Sequence, residues 1–359
     1  MGVGSLIAGL EGRTSLRILI TGGAGFIGSN AVERFCSLGH DVTVVDNLSR
    51  PGSTQNLQWL QDNHSFEFVE ADLTDYGTLT ALVSGLNPEA VIHCAGQVAV
   101  TTSIEDPRGD FGGNLLSTFN VLEALRHSAS NALLIFTSTN KVYGQLSTVP
   151  TEELETRYRF ATLTEGIDET FPLDFQSPYG CSKGAADQYV LDYSRTYGLA
   201  TVVFRQSCIY GPRQFGVEDQ GWIAWFMIAS LLSKPATVFG DGKQVRDALF
   251  VGDLLDAFEA AVANREAADG KAYNIGGGVG NTVSVLELVE RIGNLSGQPF
   301  ATAFGPWRHS DQKVFISDIR AAYNDLGWEP KTSIDGGFEI LWKWIRQNIS
   351  TIEAQLRAR

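Results

Sequence analysis

The sequence predicts an α/β fold, a Rossmann-type doubly wound parallel sheet with a smaller α/β lobe beside it. Three observations carry this. Short apolar runs alternate with amphipathic stretches through the first two thirds of the chain. The first run leads into a turn with glycines at Gly22, Gly25 and Gly28, which opens a helix. The second run ends on an acid, Asp46, 18 residues beyond Gly28.

Residues 17–21 form the first strand, and an amphipathic helix follows to Leu38, stopped by Gly39. Residues 41–45, 66–70, 90–94, 133–137 and 201–205 read as five further buried strands, because their apolar runs are short and β-branched. Helical patterns lie between them, notably over 106–128 and 178–197. Strands that alternate with helices call for right-handed parallel crossovers. Beyond about residue 207 the pattern is less regular. Short strands at 236–239, 248–251 and 272–275 mix with helices at 251–263, 283–295 and 317–326, and a helical tail spans 334–348. The expected organisation is an extension at 1–15, a dinucleotide domain at 16–207 with part of 240–280, and an interleaved ligand-binding lobe formed mainly by 208–359. The stretch 145–175 lacks clear periodicity and is long for a connection, which suggests a functional loop or lid.

The 359 residues are 43% hydrophobic and 19% charged, as in an ordinary globular enzyme. The formal charge of −14 disfavours nucleic acid and anionic membranes as partners. An anionic ligand must then be held by a few local Arg and Lys side chains. Four scattered cysteines, without Cys-x-x-Cys spacing, read as reduced thiols in a cytoplasmic protein. Residues 1–15 lack the pattern of a signal peptide, and the longest apolar stretch, 221–232, is too short to span a bilayer. The five histidines show no metal-ligand spacing, so no metal is expected, and His93 reads as a packed strand residue.

The glycine turn lets a pyrophosphate approach the backbone, and the helix N-terminus favours its charge. A carboxylate at Asp46 can accept both hydroxyls of a ribose and would repel a 2′-phosphate, so NAD is favoured over NADP. Arg50 nearby keeps a phosphate contact open. Phe26 and Ile27 at the helix start, Asn47 and Ser49 after the second strand, and Asp72 and Leu73 after the third belong to the same expected cofactor groove. Asp72 and Leu73 would meet the adenine or simply close a strand. Ala95 and Gln97 follow the fourth strand, where small residues admit a ribose, and Thr137 ends the fifth.

Tyr179 and Lys183 stand four residues apart, which puts both on one helical face. A phenol normally titrates near ~10. A neighbouring ammonium, together with a bound cofactor's positive ring, would lower it into the range of a general base. Thr139 offers a hydroxyl to the same substrate oxygen. The expected catalytic set is therefore Thr139, Tyr179 and Lys183, and the chemistry is redox at a carbinol carbon.

With these residues the chain resembles the extended short-chain dehydrogenase/reductase superfamily of NAD-dependent epimerases and dehydratases, from about Arg17 to Trp344. The segments Ser138–Gly144 (STNKVYG), Glu155–Tyr158 (ETRY), Leu173–Tyr193 and Asp219–Phe226 (DQGWIAWF) resemble the CDP-tyvelose 2-epimerase family, also called CDP-paratose 2-epimerases. The segment Gly240–Asp247 (GDGKQVRD) is shared more widely among nucleotide-sugar epimerases. The resemblance implies tightly held, recycled NAD and a CDP-sugar substrate epimerised at C2 through a 2-keto sugar. It also implies a homodimer or homotetramer formed through the helices around 106–128 and 178–197.

It places phosphate-binding arginines at Arg246 and Arg308, as suits the bidentate guanidinium. Asp311 would bind a ribose hydroxyl, and Gln206, Ser207 and Gln220 would line the sugar and base pocket. Related dehydratases carry Asp-Glu directly after the active-site threonine as acid and base. Here those positions are Asn140 and Lys141, which disfavours dehydration. Lys141 either contacts substrate or an acid, or is a solvated lysine. Tyr143 reads as structural, and Trp222 and Trp225 as core. A UDP-hexose 4-epimerase, or a 2-epimerase of another sugar nucleotide, is the alternative. A non-enzymatic NAD-binding scaffold is disfavoured because Thr139, Tyr179 and Lys183 are all present.

Overall fold

A computed structural model describes residues 15–128, 130–308 and 311–357; nearly all of the expected extension at 1–15 lies outside them. Seven strands form the central sheet: β1 (Arg17–Thr21), β2 (Asp41–Asp46), β3 (Glu67–Glu70), β4 (Ala90–His93), β5 (Leu133–Thr139), β6 (Thr201–Gln206) and β7 (Lys271–Ile275). They are all parallel, in the order β7-β6-β5-β4-β1-β2-β3. The order reverses between β1 and β4, and a sheet of this kind binds ligands beyond the carboxyl ends of its strands at such a reversal.

Both faces of the sheet are buried, which is why its strands are continuously apolar. Ile18, Ile20, Val42 and Val44 pack on one side with Phe204, Leu254 and Phe258. Leu19, Val45, Val91, Leu134 and Phe136 pack on the other with Leu122, Leu125 and Val190. Alternation within a single strand, Ile18 and Ile20 against Leu19, follows from its two-residue period.

The expected helix over 106–128 is not uniform. It begins at Pro107, capped by the Asp106 carboxylate, which accepts from the Gly109 N–H at 2.9 Å. It then widens into a π-helical turn at Gly112–Leu116 and resumes as Ser117–His127. Two adjacent glycines give the backbone latitude for the wider turn. The helix Ser177–Tyr197 agrees with expectation and ends on Gly198 in the left-handed conformation.

In the second lobe, Ala236–Phe239 pairs in parallel with Thr302–Gly305. The strand expected at 248–251 runs instead over Val245–Phe250, because the following helix claims Val251. The helix expected from 283 starts at Val285, since Ser284 caps it and Glu287 reciprocates, a capping box. The helix expected at 317–326 is confined to Arg320–Leu326, and the tail helix extends to Arg357.

The stretch 145–175 holds a small hairpin, Thr151–Glu153 with Tyr158–Phe160. The Tyr158 hydroxyl donates to Asp241 at 2.6 Å, its N–H donates to the Lys243 carbonyl at 2.8 Å, and Arg157 is ion-paired with Glu287. This hairpin is therefore fastened to the second lobe. Among the described residues, no helix is long and apolar enough to cross a membrane.

Beneath the carboxyl edge of the sheet lies a buried ion pair. Arg205 on β6 donates to both oxygens of Asp187 at 3.0 Å, and the Ser138 hydroxyl adds a third bond at 2.8 Å. Removing one partner of such a pair costs about 3–5 kcal/mol, because it strands the other charge. Asp187→Ala is therefore expected to lower unfolding free energy by that amount in urea titration. The double variant Asp187→Leu/Arg205→Met should be less affected than the single one.

Candidate active site

Thr139 closes β5, and its register partner across the sheet is Gln206, the last residue of β6. Tyr179 sits in the first turn of the helix Ser177–Tyr197, and Lys183 lies one turn further along. All four side chains are buried. The Thr139 hydroxyl is hydrogen-bonded to the Tyr179 phenol. The Lys183 ammonium donates to the Thr137 carbonyl at 2.6 Å and lies 4.2 Å above the Phe136 ring. That bond fixes the helix against β5 at the point where Tyr179 and Lys183 project.

Burial pushes the Tyr179 phenol up to about 12; the Thr139 hydrogen bond pulls it down, Asp110 raises it and Arg50 lowers it. This differs from the lowered phenol the Tyr-Lys spacing suggested. Lys183 donates one of its three N–H groups to the Thr137 carbonyl, and burial, Thr139, Asp110 and Arg50 set the phenol instead. Burial brings Lys183 itself down to about 8, opposed by Cys94, Asp187 and Asp110.

One groove of about 720 Å³ runs along the carboxyl edge of β1, β2 and β4. Gly22, Gly25, Phe26, Ile27, Gly28, Asp46, Asn47, Ser49, Arg50, Asp72, Leu73, Ala95 and Gln97 all line it. Thr137 does not line it; its hydroxyl donates to the His93 carbonyl at 2.8 Å and its own carbonyl holds Lys183. A Cβ at position 28 would lie 2.1 Å from the Gly22 carbonyl oxygen, so only glycine lets the helix come this close to the turn. The helix Phe26–Ser37 has no side-chain cap and no acid in its first turn, so its N-terminal N–H groups face the groove uncompensated.

Asp46 is buried and accepts from the N–H groups of Ala24 at 3.0 Å and Leu48 at 2.8 Å. Burial raises its pKa against those bonds. Asn47 donates to Asp72 at 2.8 Å, and Thr74 bonds to the same carboxylate; these hydrogen bonds hold it below the usual range. An anion-receptive helix end beside a buried carboxylate is a donor and acceptor set that fits a pyrophosphate and a ribose diol, so the residues present suit NAD.

A second cavity, of about 560 Å³, opens beside the first and shares Phe26, Ile27, Gln214 and Gln220 with it. Thr139, Tyr179, Gln206, Ser207, Gln220, Arg246, Arg308 and Asp311 all line it. Arg246 is buried and donates to Asp311 at 2.6 Å, while the Lys141 ammonium stands 3.8 Å from the same carboxylate. Burial works to raise Asp311, but Arg246 and Lys141 outweigh it and hold the carboxyl low. Two cations thus share one anion at this end of the cavity.

Arg308 lies 4.0 Å above the Phe239 ring and donates to the Glu218 carbonyl at 2.8 Å and to Asp219 at 3.2 Å. Ser207 is hydrogen-bonded to Asp247 rather than being directed wholly at the cavity. Gln220 accepts from Arg50 of the cofactor groove. Trp222 and Trp225 pack against the second-lobe core, although Trp222 also lines the cavity, its ring N–H on the Cys208 sulfur at 3.4 Å.

Sequence reasoning missed Phe239, Gln244, Cys208 and Gln214 as cavity walls. Gln244 falls within the Gly240–Asp247 segment quoted above without being singled out, and Phe239, Cys208 and Gln214 lie in no such motif; the four meet only in the folded cavity. His93 is fully buried, bonded to Thr21 at 2.6 Å and to Thr118 at 3.0 Å, as a packed strand residue should be. The Tyr143 hydroxyl donates to Asn274 at 2.8 Å and accepts from Arg205, so it braces β5. Among the described residues no three His, Cys, Asp or Glu side chains converge as a metal site.

Lys183 yields a stability prediction. Below pH 8 the folded protein carries a buried ammonium that the unfolded chain holds in water. Between about 8 and 10.5 the unfolded state binds the proton and the folded state does not, so wild-type stability rises with pH. Lys183→Met is therefore expected to abolish turnover yet raise unfolding free energy at pH 7, by at most ~3 kcal/mol. The gain should shrink through pH 8–10.5, as read by denaturant titration without cofactor.

The family described as GDP-mannose 4,6 dehydratase matches residues 19–341. A CDP-paratose 2-epimerase of Salmonella typhi is 46% identical over 334 residues, covering 92% of this chain and 99% of that protein. A UDP-glucose 4-epimerase of Mycolicibacterium smegmatis is 34% identical, over 90% of this chain and 96% of its own length. The crystal structure of a UDP-glucuronic acid 4-epimerase from Bacillus cereus, in complex with UDP-glucuronic acid and NAD, superposes with a TM-score of 0.79 at 27% identity, over 92% of this chain and 99% of that one. The chain belongs to the GDP-mannose 4,6 dehydratase family, within the extended short-chain dehydrogenase/reductase superfamily of epimerases and dehydratases.

Proposed function

We propose that this protein is an NAD-dependent nucleotide-sugar epimerase that inverts C2 of a CDP-linked 3,6-dideoxyhexose, interconverting CDP-paratose and CDP-tyvelose. The observation that carries the reaction class is the pair after Thr139. The Asn140 amide donates to Gln312 at 3.3 Å and Lys141 faces Asp311, so neither position offers a carboxyl to remove water. The Thr139, Tyr179 and Lys183 set needed to move a proton at a carbinol oxygen is intact. The similarity to the Salmonella epimerase supports the CDP-sugar and C2.

In this reading Tyr179, as phenolate, takes the proton of the C2 hydroxyl, and Thr139 holds the same oxygen. Lys183 anchors the helix and lies beside the cofactor groove. Bound NAD supplies the hydride acceptor and donor, and its positive ring favours a neighbouring phenolate. Having given up the hydroxyl proton to Tyr179 and the C2 hydrogen as hydride, the sugar would be held as its 2-keto form, turn to present its other face, and take back the hydride at C2 and the proton from Tyr179. No net oxidation results, so the cofactor is recycled and remains bound. Arg246 and Arg308 hold the diphosphate, with Asp311 and Lys141 setting the local charge. Gln206 and Ser207 edge the sugar. The related UDP-hexose 4-epimerases make inversion at C4 of a UDP-sugar the second reading.

Proton NMR of CDP-paratose incubated with the protein, without added NAD, should show CDP-tyvelose and no net NADH. Inversion of UDP-galactose with no change in the CDP-sugar would instead establish the second reading. Tyr179→Phe is expected to lower kcat by 10³-fold or more, on the order of a lost general base, with cofactor content unchanged; near-full activity would refute the base assignment.

A homo-oligomer formed through the helices around 106–128 and 178–197 completes the proposal. Phe111, Tyr189 and Tyr197 are exposed aromatics on these segments, 51%, 44% and 54% accessible. Tyr189→Glu should shift the protein to monomer in sedimentation analysis.

A further inference from the structure

The turn 217–220 touches both sides of the site. Val217 and Gln220 close it with two backbone hydrogen bonds of 2.9 Å. On one flank, the Gln220 carbonyl group of the side chain accepts a hydrogen bond from the Arg50 guanidinium, which reaches across from the segment after β2. On the other, Arg308 donates to Glu218 and Asp219. Arg50 and Gln220 both line the dinucleotide groove, and they belong to segments 170 residues apart in sequence.

The chain leading into the turn is itself docked on the dinucleotide domain. The Asn30 amide donates to the Pro212 carbonyl at 3.0 Å, and the Asn56 amide donates to that of Arg213 at 3.3 Å. The Phe215 ring lies so close over Gly52 that a Cβ there would be 2.3 Å from it. The strap is thus anchored at its base on Gly52 and Asn56, and its tip is held by the Arg50–Gln220 bond to the same stretch after β2, at the rim of the groove.

We propose that Gln220, expected from the sequence to line the substrate pocket, serves the cofactor. With Arg50 it forms a clasp at the rim of the dinucleotide groove, which must open before NAD can leave. A guanidinium-to-amide bond suits this task. It is stronger than a neutral hydrogen bond yet lacks the charge pair that would lock the groove during cofactor loading. The clasp accounts for how an enzyme that recycles its cofactor keeps it through many turnovers. It rests on the NAD reading but not on which sugar is inverted.

The test measures NAD release from the purified holoprotein, with no sugar nucleotide present, by trapping freed NAD with excess alcohol dehydrogenase and ethanol and following absorbance at 340 nm. Gln220→Ala should release NAD about 10-fold faster than the parent, on the scale of a lost charge-assisted bond. In an Arg50→Ala background the same substitution should change nothing further. Gln220→Glu, which puts a carboxylate opposite Arg50, should release more slowly than the parent, a direction that misfolding cannot mimic.

An unchanged rate in Gln220→Ala, its full effect persisting without Arg50, or faster release from Gln220→Glu would each overturn the clasp. A parent protein that purifies without NAD would overturn the resident-cofactor reading and the clasp with it. The outcome of the sugar-nucleotide assays leaves this result untouched.

Discussion

The helix Ser177–Tyr197 has to lie against the end of β5 at one fixed height, and the rest of the site follows from that constraint. Two buried charges impose it. Lys183 donates to the Thr137 carbonyl, and one turn later Asp187 takes Arg205 of β6 and Ser138 of β5. Neither charge tolerates a shift of the helix by a turn, because either would then be buried without a partner. Tyr179 is consequently delivered to the Thr139 hydroxyl. The arrangement has a cost, since burial lowers Lys183 and raises Tyr179. Both departures disfavour the charged forms of these two side chains.

The two cavities carry complementary electrostatics within a chain of net charge −14. The cofactor groove places a buried carboxylate, Asp46, next to an uncapped helix end. The neighbouring cavity concentrates Arg246, Lys141 and Arg308 around Asp311 and Asp219. Its cations are paired with carboxylates of the protein itself.

Much of the architecture was legible in the chain. The Gly22, Gly25 and Gly28 spacing, the acid at Asp46, and the Tyr179–Lys183 and Thr139 set are local patterns whose reasons are steric and chemical, so they survive without knowledge of the surroundings. Buried strands were readable because both faces of the sheet demand apolar residues. Element ends were less so. The periodicity places Ser284 inside a helix over 283–295, whereas it caps one that starts at Val285, and the π-helical turn at Gly112–Leu116 leaves no periodic trace.

The sequence by itself determined the fold class, the glycine turn and the spacing that brings Tyr179 and Lys183 onto one helical face, because each depends on neighbours within one turn or one strand. Only the tertiary structure decided what those residues experience. The height of the Tyr179 pKa depends on burial beneath two lobes. The sharing of Asp311 by Arg246 and Lys141 joins positions far apart in the chain. The reach of Arg50 to Gln220 does the same across 170 residues. Burial and long-range pairing are properties of packed surfaces, and a linear chain carries no record of which surfaces will meet.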